Sequence, residues 1–185
     1  VDTNINYTNV CDAYCTFCSF YRTENDPDKY THTVEEMMGQ VRLAVEKGVT
    51  TVLMQGGLNP ALPMEYYEEL VRETRRRYPD ITPHYYSAPE VQKMVQVSGL
   101  SLTEVLQRLK VREPRRPITT NTTSQWYPTG PGAAEEAIEN LSRQVAAPVE
   151  WTAQMERMYA DGSRVFVECG PKRALTGFTV AILKN

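Results

Sequence analysis

Cys11, Cys15 and Cys18 stand in the run Cys11-Asp-Ala-Tyr-Cys15-Thr-Phe-Cys18, close enough that one short loop can bring three thiols to a single metal centre. Soft thiolates suit zinc or an iron-sulfur cluster. Structural zinc normally takes four protein ligands, and the fourth cysteine, Cys169, is more than a hundred residues away. A cubane [4Fe-4S] cluster held by three cysteines leaves one iron open, and an open iron is a place for a small molecule to bind. The alternative is three cysteines that are merely buried or free. Tyr14, Phe17, Phe20 and Tyr21 surround the thiols in sequence. They are expected either to cover a cluster and lower its solvent access or to belong to the core.

With Asn4-Ile-Asn-Tyr-Thr-Asn-Val-Cys11 before it and Ser19-Phe-Tyr-Arg22 after it, the Cys-x3-Cys-x2-Cys run resembles the signature of radical S-adenosylmethionine (SAM) enzymes. Within that group the wording is similar to the dehypoxanthine futalosine cyclases of menaquinone biosynthesis. The resemblance extends through Pro79-Asp-Ile-Thr82, His84, Ser87, Glu90 and Val97-Ser-Gly-Leu-Ser-Leu102, and ends near Lys110. It implies a [4Fe-4S] cluster on Cys11, Cys15 and Cys18, SAM as cofactor and a one-electron donor. It also implies a nucleoside substrate whose ribose loses hydrogen to a 5′-deoxyadenosyl radical.

The elements that must position these residues follow from pattern. Ile5 to Val10 alternates into a strand expected to deliver Cys11 at its carboxyl end, where α/β folds place ligands. Thr33-Val-Glu-Glu36 is a capping box opening a helix that stops at Gly48. Thr50 to Met54 is a buried strand, followed by Gln55-Gly56-Gly57. Glycines after a strand permit close backbone approach, and the resemblance assigns Gly56 and Gly57 to the amino group of the SAM methionine moiety. Pro63 suits the first turn of a helix that runs to Tyr78, with Arg75-Arg-Arg77 on its solvated face. Ile81 to Ser87 reads as a third strand, Pro89-Glu-Val as the start of a helix, and Ser101-Leu-Thr-Glu104 as the cap of another. His84 and Glu90, at or beyond a strand end, face substrate or cofactor or are structural. Strand-helix alternation implies a parallel sheet or barrel. Three strands make about half of the six in the partial barrel that the resemblance implies.

Val111-Arg-Glu-Pro-Arg-Arg-Pro117 breaks the alternation like a domain boundary, giving units 1–110 and 111–185. Beyond it the pattern predicts strand 118–121, helices 133–146 and 149–160, strand 164–168, a turn at Gly170-Pro171 and a last helix from about Arg173. This βααβα order contains Arg143-Gln-Val145, Ala147-Pro-Val-Glu-Trp151, Met158-Tyr-Ala-Asp-Gly162 and Val167-Glu-Cys-Gly-Pro-Lys172. It resembles the C-terminal part of malonyl-CoA:acyl carrier protein acyltransferase domains of polyketide and polyunsaturated fatty acid synthases. The resemblance implies that Gln144 is the remnant of a residue orienting a catalytic histidine, and it suggests an acyl carrier protein as partner. Acyl transfer needs a Gly-x-Ser-x-Gly serine and a histidine. No such serine motif occurs, and both histidines, His32 and His84, lie in the first half. Cys169 reads as a small buried hydrophobe. On this reading the chain is α/β and an apparent chimera: half of a radical SAM barrel joined to an acyltransferase fragment, or a non-catalytic acyltransferase-derived module.

The 185 residues carry a formal charge of −3, with a pI near 5.5. No basic field is available for nucleic acid or an anionic membrane. No apolar run of about 18 residues exists to span a bilayer, and the start of the sequence lacks the pattern of a secretory signal. Clustered thiols point to the reducing cytoplasm, so Asn121-Thr-Thr123 is not expected to carry a glycan.

Overall fold

The structure, a computed structural model, describes residues 1–144, 147–169 and 173–184. The chain divides into two compact units, Val1–Leu109 and Lys110 onward. At the boundary Lys110 takes a left-handed backbone, φ 55°, immediately after the helix C-cap Leu109. Helices commonly end with a left-handed residue at this position.

The first unit alternates strand and helix. Its elements are β1 Asp2–Asn6, α1 Val34–Glu46, β2 Thr51–Gln55, α2 Met64–Arg77, β3 Thr82–Tyr85, α3 Ala88–Ser98 and α4 Leu102–Arg108. The strands form one parallel sheet in the order β1-β2-β3, with Ile5 opposite Met54 and Met54 opposite Tyr85. Ile5, Val52 and Met54 are buried among Met37, Met38, Val41 and Leu70 of α1 and α2. The opposite sheet face carries Asn4, Leu53 and His84 in one row, and its polar ends Asn4 and His84 are exposed.

Both expected capping boxes form, Thr33 with Glu36 and Ser101 with Glu104. A third, Ser87 with Glu90, opens α3, and Pro63 is the N-cap of α2 rather than its first residue. The triple arginine is not simply a solvated face. Arg77 bonds Glu73 on its own helix and Glu35 on α1, tying the two helices together.

The first strand is displaced from the expected Ile5–Val10. It pairs from Asp2, and the chain leaves the ladder after Asn6. Tyr7 turns its hydroxyl to Glu90, while Thr8 and Val10 form isolated bridges to Thr31 and Arg22. These local partners compete successfully with sheet pairing. Cys11 therefore lies five residues beyond the last residue of β1, not at its end.

The second unit contains α5 Ala133–Gln144, α6 Trp151–Ala160 and α7 Ala174–Leu183, and no strand among the described residues. This corrects the βααβα expectation. Thr119 makes a single antiparallel bridge to Trp126, and residues 164–168 have no regular structure. β-propensity alone forms no strand without a partner to complete its hydrogen-bond ladder. For the same reason Cys169 is exposed rather than buried. The last two residues of the expected helix 133–146 and the turn at Gly170-Pro171 lie outside the described residues.

Candidate functional site: a closed thiol loop beside the β2 glycines

The loop carrying the thiols is fastened at both ends. The Cys11 amide donates to the Arg22 carbonyl at 3.0 Å, and the Arg22 amide donates to the Asn9 carbonyl at 2.7 Å. Arg22 also grips the Asp28 carboxylate through Nε at 2.7 and 2.8 Å. Asn9, buried just before the loop, accepts from the Tyr30 amide at 2.7 Å and donates to the Asp28 carbonyl at 3.1 Å. Between these fixed ends residues 11–18 have no helix or strand. The Cys18 amide donates to the Cys15 carbonyl, making a turn inside the loop. Tyr14 has φ 48°, a conformation uncommon outside glycine.

Cys11, Cys15 and Cys18 are all free and half-buried. Among the described residues no three His, Cys, Asp or Glu side chains converge as a cage for one metal ion. A [4Fe-4S] cluster makes a different demand, since it distributes its thiolates over separate irons. Three free thiols on a loop with anchored ends supply the donor chemistry that such a cluster takes. Of the four aromatic residues expected about the thiols, three are exposed and Tyr21 is half-buried. Phe17 is 91% exposed, Tyr14 58% and Phe20 40%; Tyr14 meets the Tyr21 ring and Phe20 the Tyr30 ring edge-on.

Gly56 and Gly57 lie against this loop, and close packing explains why they are glycines. A Cβ on Gly57 would stand 2.7 Å from the Val10 carbonyl carbon and 3.0 Å from Cys11 Cβ; one on Gly56 would stand 2.6 Å from the Tyr7 ring. Both amides are occupied. Gly57 donates to the Thr8 carbonyl at 2.8 Å, and Gly56 donates to Glu90 Oε1 at 3.0 Å.

Glu90, 2% exposed, spends both carboxylate oxygens on the protein. Oε1 accepts from the Tyr7 hydroxyl at 2.6 Å and from Gly56; Oε2 accepts from the Ser87 amide and hydroxyl at 2.7 Å each. The carboxylate therefore holds the β2 glycine turn in place and is not presented to a ligand. Burial, with the Glu90 charge adding to it, pushes the Tyr7 phenol far above its ordinary range, so Tyr7 remains a neutral donor. His84 sits within β3, exposed on the uncovered sheet face, and is not brought to the thiol loop by any hydrogen bond among the described residues. Gln144 ends α5 in the second unit and lines a cavity of about 330 Å³ there with Ile118, Tyr127 and Ala137.

Two residues that the sequence did not single out join this group. Lys93 of α3, only 8% exposed, donates through Nζ to Asp12 Oδ2 at 2.7 Å, inside the thiol loop. The Asp12 amide in turn donates to the Leu58 carbonyl at 3.2 Å, immediately after the glycines. No local pattern could announce a pair separated by 81 residues.

A parallel α/β unit with a closed three-thiol loop beside a glycine turn defines a class, and comparison agrees: the radical SAM superfamily pattern matches residues 5–143. The chain belongs to the radical SAM superfamily, whose members use a [4Fe-4S] cluster and SAM. It is 42% identical over 106 residues to a cyclic dehypoxanthine futalosine synthase of Halalkalibacterium halodurans, covering 57% of this chain and 29% of that protein. It is 43% identical over 110 residues to a 5-amino-6-(D-ribitylamino)uracil–L-tyrosine 4-hydroxyphenyl transferase of Methanopyrus kandleri, covering 60% of this chain and 30% of the relative. A transferase of the same name from Methanothermobacter thermautotrophicus is 32% identical over 164 residues, 86% of this chain and 41% of its own. The chain thus spans well under half the length of these relatives. The superfamily match continues past Lys110, and these comparisons give no support to an acyltransferase segment.

Proposed function

We propose that the chain carries the cluster and SAM site of a radical SAM enzyme acting on a nucleoside-like small molecule, with cyclisation of dehypoxanthine futalosine as the favoured reaction. The observation that carries this reading is the loop of three free thiols, pinned at Cys11 and Arg22 and packed directly against Gly57. Cys11, Cys15 and Cys18 would hold the cluster. Bound there, the cluster supplies one electron, received from an external donor, for the reductive cleavage of SAM.

The chain's own residues do the positioning. The Gly56 and Gly57 amides donate to Glu90 and Thr8 and so fix the turn; what the turn would offer the ammonium of a methionine moiety is a backbone carbonyl, that of Gly57 already accepting from the Asn59 amide at 2.9 Å. His84, exposed beside Leu53 and Asn4 on the open sheet face, would meet substrate on this reading. The preference for the cyclase over the hydroxyphenyl transferase rests on the sequence around the thiols and on Pro79 to Leu102. For the second unit we propose no acyl transfer, since Gln144 has no histidine within that unit to orient and no serine motif accompanies it.

Anaerobic reconstitution with iron, sulfide and zinc present together, followed by metal analysis, tests the cluster assignment. Iron and sulfide in equal amounts are expected in the wild type and in Cys169→Ala, and not in Cys15→Ala. Zinc in place of iron would overturn the reading. Incubation with dehypoxanthine futalosine, and separately with tyrosine and the ribitylaminouracil, distinguishes the two reactions by product.

A further inference from the structure

Glu90 and Lys93 are buried, three residues apart on α3. That spacing puts both on one helical face. From it they reach two different loops: Glu90 bonds the Gly56 amide after β2, 34 residues away, and Lys93 bonds Asp12 in the thiol loop, 81 residues away. Removing a lysine this far from water is costly unless it is paired. The pairing is one-sided in exposure, because the Asp12 side chain remains 37% exposed against 9% for Lys93. The two side chains adjoin an open cavity of about 350 Å³ shared by the thiol loop, Leu58 and the first turns of α3. A buried ammonium held against a residue that follows a thiol directly has two physical consequences. It fixes the loop backbone at Asp12, and it neutralises a carboxylate next to Cys11.

We infer that Lys93 is a positioning residue for the cluster: through Asp12 it sets the conformation of the thiol loop and balances the charge beside it, so that α3 clamps the cluster loop and the SAM turn together. This rests on the cluster assignment above. Charge beside a cluster affects how readily it accepts an electron. Replacing Lys93 by methionine leaves the Asp12 carboxylate unbalanced and disfavours the added electron; Asp12→Asn leaves the ammonium unbalanced and favours it.

The test is anaerobic reconstitution of the full chain at limiting iron, with cluster content and midpoint potential measured by titration followed by electron paramagnetic resonance. Lys93→Met is expected to weaken cluster uptake by on the order of 10-fold, the lower end for loss of an outer-sphere partner, and to shift the potential down. Asp12→Asn is expected to shift it up, Lys93→Arg to restore wild-type uptake, and the double variant Asp12→Asn/Lys93→Met to return the potential towards wild type. Opposite shifts from the two single variants are not produced by loss of folding alone. Wild-type uptake and potential in both single variants, or shifts of the same sign, would overturn the inference. A wild-type chain that takes up no cluster overturns the cluster assignment itself, and the inference with it.

Discussion

Gly57 is a residue whose absent side chain matters. A methyl group there would press on the Val10 backbone and on Cys11, and backbone cannot rotate out of the way as a side chain can. Gly57→Ala is expected to cost about 1–3 kcal/mol, the usual scale for overpacking, and to reduce cluster uptake by displacing Cys11. Gly39 in α1 meets nothing within 4 Å, so Gly39→Ala is expected to stabilise by about 0.5–1 kcal/mol through helix propensity. Urea denaturation of the two variants should move in opposite directions; a tolerated Gly57→Ala would show that the turn is not close-packed. The thiols were legible in the sequence because their grouping is local. The group that ties α3 to the loop and to the glycine turn was not. Tyr7, Asp12 and Lys93 act through partners 81 to 83 residues away, which no spacing rule connects. Of the two roles open to Glu90 in the sequence, the structural one is observed: Ser87-x-x-Glu90 is itself a capping-box pattern, and its carboxylate is turned inward on Tyr7, Gly56 and Ser87.

Among the elements, α1 and α2 are joined by an ion-pair group whose pH response has a definite sign. Hydrogen bonds from Arg76 and Arg77 draw the Glu73 carboxyl down to about 2 from its ordinary 4.5, and Arg77 also lowers Glu35. A carboxylate whose folded value is depressed contributes stability that is fully present above its unfolded value and is lost as pH falls through the folded one. The contribution is therefore expected to decline between about pH 4.5 and about pH 2. Glu73→Gln should flatten that decline in urea midpoints measured across the window, and added salt should shrink the difference. An unchanged slope in the variant would show that the pairs are too well solvated to matter. At α3, Ser87→Ala removes the hydroxyl that donates to Glu90 Oε2 at 2.7 Å, with an expected cost of about 1 kcal/mol. Capping boxes made the starts of α1 and α4 readable, since the signal lies in four consecutive positions. Strands were less readable. β1 is shorter and earlier than its alternating pattern, and the strands expected at 118–121 and 164–168 do not form, because pairing is decided by partners that a local pattern does not contain.

At the scale of the whole chain, the division after Leu109 predicts where a protease will cut. Arg112, Arg115 and Arg116 are exposed, and exposed connecting segments are the preferred sites of nicking. Brief trypsin treatment is expected to separate fragments within 112–116 before α1, α2 or α3 is cleaved, as mass spectrometry would show; early cuts at Arg75–Arg77 would contradict the ion-paired α2. Turnover to cyclised product is expected to be weak. In a barrel, substrate enclosure comes from all the strand ends together, and the described sheet has three strands. The proposed cluster loop and glycine turn both lie within this unit, so on the proposed reading cleavage of SAM without cyclised product is the expected outcome. Electron paramagnetic resonance of the reconstituted, dithionite-reduced chain, recorded with and without SAM, tests that assignment most directly. A cluster signal that changes when SAM is added, and that is absent in Cys15→Ala, is expected. A signal indifferent to SAM, or one retained in Cys15→Ala, would contradict a SAM-binding cluster on Cys11, Cys15 and Cys18.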